Sequence, residues 1–322
     1  MSDADVKFYF RFSLIILAAG FIWFFNSGAE QEKIADDGGG HWAKSPAVLG
    51  DFVPPVVAVL NDAENLLPKR NWSVPALELE AEAAIAVRAD GGRVYFNKNT
   101  EVRRPVASLT KIMTAIVAVE NYDLSQIIKI SAETVRRDGS QGDLRVGEEI
   151  TVRALLNIML VGSSNDAAAA LAEGKSEFIA LMNKKAEAIG LSNTRFANPD
   201  GLDEDGHYGT ARDMAQILVY FMNNHPQEFK IMEAENVVVY SADGKTEHRL
   251  KNTNELLGAI SEVKAGKTGY TDKAGGSLIL LISGLSFGDG DNIITVVLGS
   301  PDRFGESEKL IDWLRAAYIW EK

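Results

Sequence analysis

The first apolar feature of the chain is an unbroken run, Phe12 to Phe25 (FSLIILAAGFIWFF), with Lys7 and Arg11 before it and Glu30, Glu32, Asp36 and Asp37 after it. Residues 26 to about 70 then show no sustained period. They carry Gly38-Gly39-Gly40, Pro46 and Pro54-Pro55, the composition of a tether, with Val56 to Leu67 as one short helix candidate. From about Leu77 the pattern becomes periodic. Ala84 to Val87 and Arg93 to Phe96 predict two strands of a hairpin around Asp90-Gly91-Gly92. Ser108 to Glu120 predicts a helix, with Leu109, Ile112, Met113, Ile116 and Val117 on one face. Further helical stretches are predicted at about 151–161, 165–173, 176–189 and 211–223. Val263 to Thr271, Leu278 to Gly284 and Ile293 to Leu298 predict three late strands, and about Glu306 to Tyr318 a closing amphipathic helix. Strands, then helices, then strands and a helix predict an α/β (α+β) fold in which one sheet carries an inserted helical part. No internal repeat is visible.

The N-terminal run bears on location. It has 14 residues, short of the roughly 20 that cross a bilayer and suited to a signal-peptide core, with Ser27 and Ala29 at the small positions of a cleavage site. Phe8 to Phe10 lengthen it if Arg11 snorkels, which makes an uncleaved anchor the other reading. Both leave the basic end inside and the rest of the chain outside. The organisation expected is a signal peptide or membrane anchor at 1–29, a linker at 30–76 and a catalytic domain at 77–322. The expected compartment is extracytoplasmic.

Composition removes several classes of function. A net charge of −12 suits nucleic acid poorly, because affinity there rests on neutralising phosphates. The absence of cysteine rules out disulfides, thiolate nucleophiles and thiolate metal sites. The four histidines show no metal-ligand spacing, so neither metal nor cofactor is expected.

Three short signals remain, in order: Ser108-Leu109-Thr110-Lys111, Ser163-Ser164-Asn165 and Lys267-Thr268-Gly269. Ser-x-x-Lys also occurs at Ser261 to Lys264. Ser108 opens a predicted helix, where residues three apart share a face and Lys111 can reach the hydroxyl. Ser261 leads into an extended run, where they do not. A serine becomes nucleophilic when a neighbouring base takes its proton, and an amine does so only when neutral. Lys111 therefore needs a lowered pKa, from burial and a second cation such as Lys267. Ser163 suits a proton relay, and Asn165 an amide that fixes substrate and Lys111. Lys267 and Thr268 on a strand can pin a carboxylate. A phosphate-loop reading of Gly266-Lys267-Thr268 or of Gly244-Lys245-Thr246 fails, because Ser261 and Val239 stand where that motif needs glycine.

Taken together, the motifs match the S-x-x-K, S-D-N and K-T-G set of β-lactamases and penicillin-binding proteins, with Ser164 at the central position. The chain resembles the serine-type D-alanyl-D-alanine carboxypeptidases among the low-molecular-mass penicillin-binding proteins. The likeness runs through PVASLTKIMT (Pro105 to Thr114), FANPDGLDEDGHYGTARDMA (Phe196 to Ala215) and KTGYTDKAG (Lys267 to Gly275), and covers roughly Leu77 to Lys322. It implies a β-lactamase/transpeptidase-like antiparallel sheet flanked by helices, with a helical subdomain carrying Ser163. It implies Ser108 as acylated nucleophile, Lys111 as base, Ser163 as proton carrier, and Lys267 with Thr268 at the substrate carboxylate. The backbone N–H groups of Ser108 and Tyr270 become the oxyanion hole, beside Gly269. The partners implied are peptidoglycan stem peptides, β-lactam antibiotics as covalent inhibitors, and the membrane through an uncleaved N-terminus.

Many members append a β-rich C-terminal domain and an amphipathic anchor; here the chain stops within a few residues of the last predicted helix, so membrane attachment is expected from the N-terminus or not at all. Ser164 replaces the glycine common at its position, a mild change. The competing readings are an endopeptidase that cuts cross-links with the same residues, a class A β-lactamase and an inert wall-binding homologue. The β-lactamase needs a Glu in an E-x-x-L-N context, and the cluster Asp200, Asp203, Glu204, Asp205 has none.

Overall fold

A computed structural model of the chain describes residues 68–139, 142–285 and 292–319. The apolar run at 12–25, the tether through 67 and the helix candidate Val56 to Leu67 lie outside the described residues. In chain order the described elements begin with strands β1 (Lys69–Arg70), β2 (Ala83–Arg88) and β3 (Val94–Lys98), followed by helix α1 (Thr110–Asn121). Next come β4 (Ile127–Lys129), α2 (Ala132–Val135), β5 (Glu149–Thr151), α3 (Val152–Val161), α4 (Asn165–Glu173) and α5 (Phe178–Ala188). Helices α6 (Ala211–Asn224) and α7 (Pro226–Phe229) lead to the hairpin β6 (Asn236–Tyr240) and β7 (Glu247–Lys251). The chain closes with β8 (Val263–Thr271), β9 (Gly275–Ile282), β10 (Ile293–Ser300), α8 (Arg303–Ala317) and β11 (Tyr318–Ile319).

Five strands form one antiparallel sheet in the order β3-β2-β10-β9-β8. The N-terminal hairpin and the three C-terminal strands thus meet side by side, with β8 on an edge. Both faces of this sheet are covered, so its inner strands β2, β10 and β9 are apolar at nearly every position rather than at alternate ones. Side chains still alternate between two cores, as the pleat requires. Ile85, Ile279, Leu281, Ile294 and Val296 enter the core under α1, α3 and α6. Ala84, Ala86, Leu278, Leu280, Ile293 and Val297 enter the core under α8, with Leu310, Ile311 and Leu314. The fold is an antiparallel sheet flanked by helices, with helices inserted between its two halves. Among the described residues no helix is long and apolar enough to cross a membrane.

The fold begins earlier than the expected boundary at Leu77. Lys69 and Arg70 pair with Ile319 and Tyr318, and Val74 packs on the core beneath α8. The expected helix from Ser108 also differs. Ala107–Leu109 is a 3₁₀ turn, with the Leu109 N–H on the Val106 carbonyl, and the α-helix starts at Thr110; Ala107, at a positive φ of 49°, turns the chain into it. Strand β9 starts at Gly275 rather than Leu278, since Gly276 and Ser277 pair with Tyr270 and Gly269.

Candidate active site

Ser108 sits in the 3₁₀ turn ahead of α1, half-buried. One turn on, the Lys111 side chain is fully buried, and its amine donates to Ser108 Oγ at 2.7 Å, Asn165 Oδ1 at 2.6 Å and the Asp200 carbonyl at 2.7 Å. Three acceptors around one ammonium fill its donors, so the amine has a single defined position. Burial drives its pKa down to about 7; the carboxylates of Asp200 and Asp166 pull the other way, and Arg137 adds to the lowering. Arg137 is thus one cation acting on Lys111, and the expected Lys267 is another, since repulsion between two buried ammonium groups acts on both. Lys267 is itself buried, and its pKa lies well below the ordinary lysine value, first through burial and then through the charges of Lys111 and Arg303.

The second motif forms the corner between α3 and α4. Ser163 is buried with a positive φ of 61°, a conformation that costs an ordinary residue about 1–2 kcal/mol. Its Oγ accepts from Lys267 Nζ at 2.7 Å. The helix cap falls to its neighbour: Ser164 Oγ accepts from the Ala167 N–H at 2.9 Å and bonds the Asp166 carboxylate. Asn165 bridges outward, its Nδ2 donating to the Asp138 carbonyl at 2.6 Å.

Strand β8 supplies the third wall. Lys267 and Thr268 are buried on it, the Thr268 hydroxyl meets Thr253 Oγ1 at 2.6 Å, and the Tyr270 ring is 64% exposed. A Cβ on Gly269 would stand 3.0 Å from both Ala107 Cβ and the Ser108 nitrogen. Glycine there is what lets the strand edge close against the nucleophile turn. Gly201, with φ 87°, does the same from the other side, since a Cβ would reach 1.9 Å from the Ala107 carbonyl oxygen. The structure joins Ser108, Lys111 and Asn165 in one hydrogen-bonded set and Ser163 with Lys267 in another, and lays Gly269, two residues along the same strand between Thr268 and Tyr270, against Ser108. It leaves Ser261 exposed and elsewhere.

Several supporting residues escaped the sequence reading. Thr110 Oγ1 lies 2.8 Å from His207 Nε2, and burial drops the His207 pKa to about 4, which keeps that ring neutral. Thr114 Oγ1 donates to the Pro199 carbonyl at 2.6 Å, and Asn198 Oδ1 accepts from the Gly201 N–H at 2.8 Å. Asp166 holds the Gly142 N–H, and Arg303 Nη1 donates to the Gly269 carbonyl at 3.1 Å. The resemblance at 196–215 marked part of this buttress. Asp166, Arg137, Thr253 and Arg303 carry no motif.

A serine hydroxyl on a buried amine, a Ser-x-Asn corner and a Lys-Thr-Gly edge strand stand together on an antiparallel sheet flanked by helices, the penicillin-binding, transpeptidase-like fold. The chain belongs to the D-alanyl-D-alanine carboxypeptidase family, which it matches over residues 70–302. It is 38% identical over 204 residues to the D-alanyl-D-alanine carboxypeptidase DacF of Bacillus subtilis, covering 61% of this chain and 52% of that protein. The chain thus spans about half the length of this curated relative. It is 30% identical over 249 residues to a D-alanyl-D-alanine endopeptidase of Pseudomonas aeruginosa, covering 75% of this chain and 79% of the relative. The crystal structure of the D-alanyl-D-alanine carboxypeptidase DacD from Francisella tularensis superposes with a TM-score of 0.68 at 32% identity, covering 78% of this chain and 74% of that one.

Proposed function

We propose that this chain is a serine D-Ala-D-Ala carboxypeptidase that removes the terminal D-alanine from peptidoglycan stem peptides and is acylated by β-lactams. The observation that carries the reading is the buried Lys111 amine, with a pKa of about 7, at 2.7 Å from Ser108 Oγ. Neutral Lys111 takes the Ser108 proton as Oγ attacks the carbonyl carbon of the penultimate D-alanine. The Ser108 and Tyr270 N–H groups hold the developing oxyanion. The C–N bond then breaks, Ser163 passes a proton to the departing amine, and an acyl-enzyme remains for water to hydrolyse. Lys267 and Thr268 receive the terminal carboxylate, and β8, at the edge of the sheet, offers its backbone to an extended peptide. Three residues of the acidic cluster, Asp200, Asp203 and Glu204, are engaged with the protein itself. Asp203 accepts from Thr271 and Lys273, and Glu204 from Asn198, which argues against a β-lactamase water base there.

The N-terminal run at 12–25 exports or anchors the catalytic part outside the cytoplasmic membrane. An endopeptidase acting on cross-links is the second reading, favoured by the fuller coverage of the Pseudomonas relative. Incubation of the full chain with a peptide ending in D-Ala-D-Ala should release free D-alanine, and S108A should release none. Cleavage of a cross-linked dimer without free D-alanine would move the assignment to endopeptidase. Folded protein inert on both would remove the catalytic reading.

A further inference from the structure

The three acceptors that hold Lys111 belong to residues from different parts of the chain, and two of these residues are backed by one short segment. That segment follows α2. Its Arg137 pairs through Nε with Asp200 Oδ2, and the next carbonyl, of Asp138, accepts from Asn165 Nδ2 at 2.6 Å. Gly139 then packs so closely that a Cβ would meet Asn165 Nδ2 at 2.5 Å. The Asp200 carboxylate is entirely buried, while Arg137 is about one-third exposed at 35%. Its other oxygen accepts from the Leu202 N–H at 3.1 Å. A buried carboxylate on the very residue whose carbonyl grips the base amine is a strong local field acting on that amine.

We propose that Arg137 is a positioning residue that sets the charge of the Lys111 amine by neutralising the buried Asp200 carboxylate. The inference rests on Lys111 acting as base, as argued above. Other charges face the same centre: Asp166 from α4, Lys267 from β8 with Arg303 behind it, and Asp138 and Glu204 beside Arg137. His207, on the 196–210 segment, is kept neutral by burial. Among these, only Arg137 makes an ion pair with Asp200 in the described residues. Without it, the unscreened carboxylate favours the protonated amine. An opposite charge close by typically shifts a pKa by about 1–3 units.

The test is the pH profile of acylation by a fluorescent penicillin, measured on the full chain. Wild type should lose activity in acid with a midpoint near the Lys111 value of about 7. R137A should move that midpoint up by about one unit, a loss of roughly fivefold at pH 7 that disappears at alkaline pH. R137K should stay near wild type. The double variant R137A/D200N, which removes both charges and keeps the Asp200 backbone carbonyl, should bring the midpoint back. A loss in R137A that is equal at every pH, with the midpoint unmoved, overturns this inference alone. A wild-type profile with no acid limb overturns it together with the base role of Lys111.

Discussion

Two stretches of this chain present serine and lysine at the same spacing, Ser108 to Lys111 and Ser261 to Lys264. In the first, the lysine is fully buried and its amine points at the serine hydroxyl. In the second, both residues are exposed; the Lys264 amine donates to the Ser261 carbonyl at 2.7 Å, and the Ser261 hydroxyl turns to Glu262. Spacing brings an amine near a serine in both places. Only the first has the 3₁₀ turn into a helix that aligns hydroxyl and amine, and the helices and the 196–210 segment that exclude water from the amine. An amine in water stays charged and cannot accept a proton, so burial is what separates a base from a surface lysine.

The comparison can be broken by removing the amines. K111A should cut acylation by about 10²–10⁴-fold, the usual span for a lost general base, while K264A should leave the rate within about twofold, as surface changes do. Stopped-flow binding of a fluorescent penicillin reads both. If K264A fell as far as K111A, burial would not be the distinction. The next effect acts on the fit of the buried region. G269A places a Cβ 3.0 Å from the Ser108 nitrogen, prying β8 from the nucleophile turn. We expect a loss of roughly 10–100-fold in acylation with thermal stability largely kept; an unchanged rate would show that the turn does not depend on that close approach. The smallest effect is structural. S164A removes the cap of α4 and a bond to Asp166, a loss of about 1–2 kcal/mol by denaturant titration, whereas S261A should change stability by less than about 0.5 kcal/mol.

The same contrast explains how far the sequence could be read. All five strands of the sheet were visible, the central ones because both faces of the sheet are covered, which leaves nearly continuous apolar runs such as Ile293 to Leu298. Helix α4 and strand β8 have the ends that their patterns predict. The pairs β4–β5 and β6–β7 were not foreseen. Strand β7 (EHRLK) offers one aliphatic residue, Leu250, and its inward His248 is satisfied by Glu148 and the Gly142 carbonyl instead of by apolar packing. At the site, Ser108, Lys111, Ser163, Asn165 and Lys267 stood in short motifs, because neighbours on one turn or strand must act together. The partners that tune them, Arg137, Asp166 and Asp200, reach the cleft only through tertiary packing. Their positions carry no local period. Ser164 holds the cap of α4, and Ser163 takes the strained conformation that aims its hydroxyl at Lys267.

The central claim is that Ser108, and not Ser261, is the nucleophile made reactive by its buried neighbour. It is tested most directly by the intact mass of the full chain after mixing with penicillin, for wild type, S108A and S261A. The account predicts a single penicilloyl adduct on wild type and S261A and none on S108A. An adduct that survives in S108A, or one lost in S261A, would contradict it.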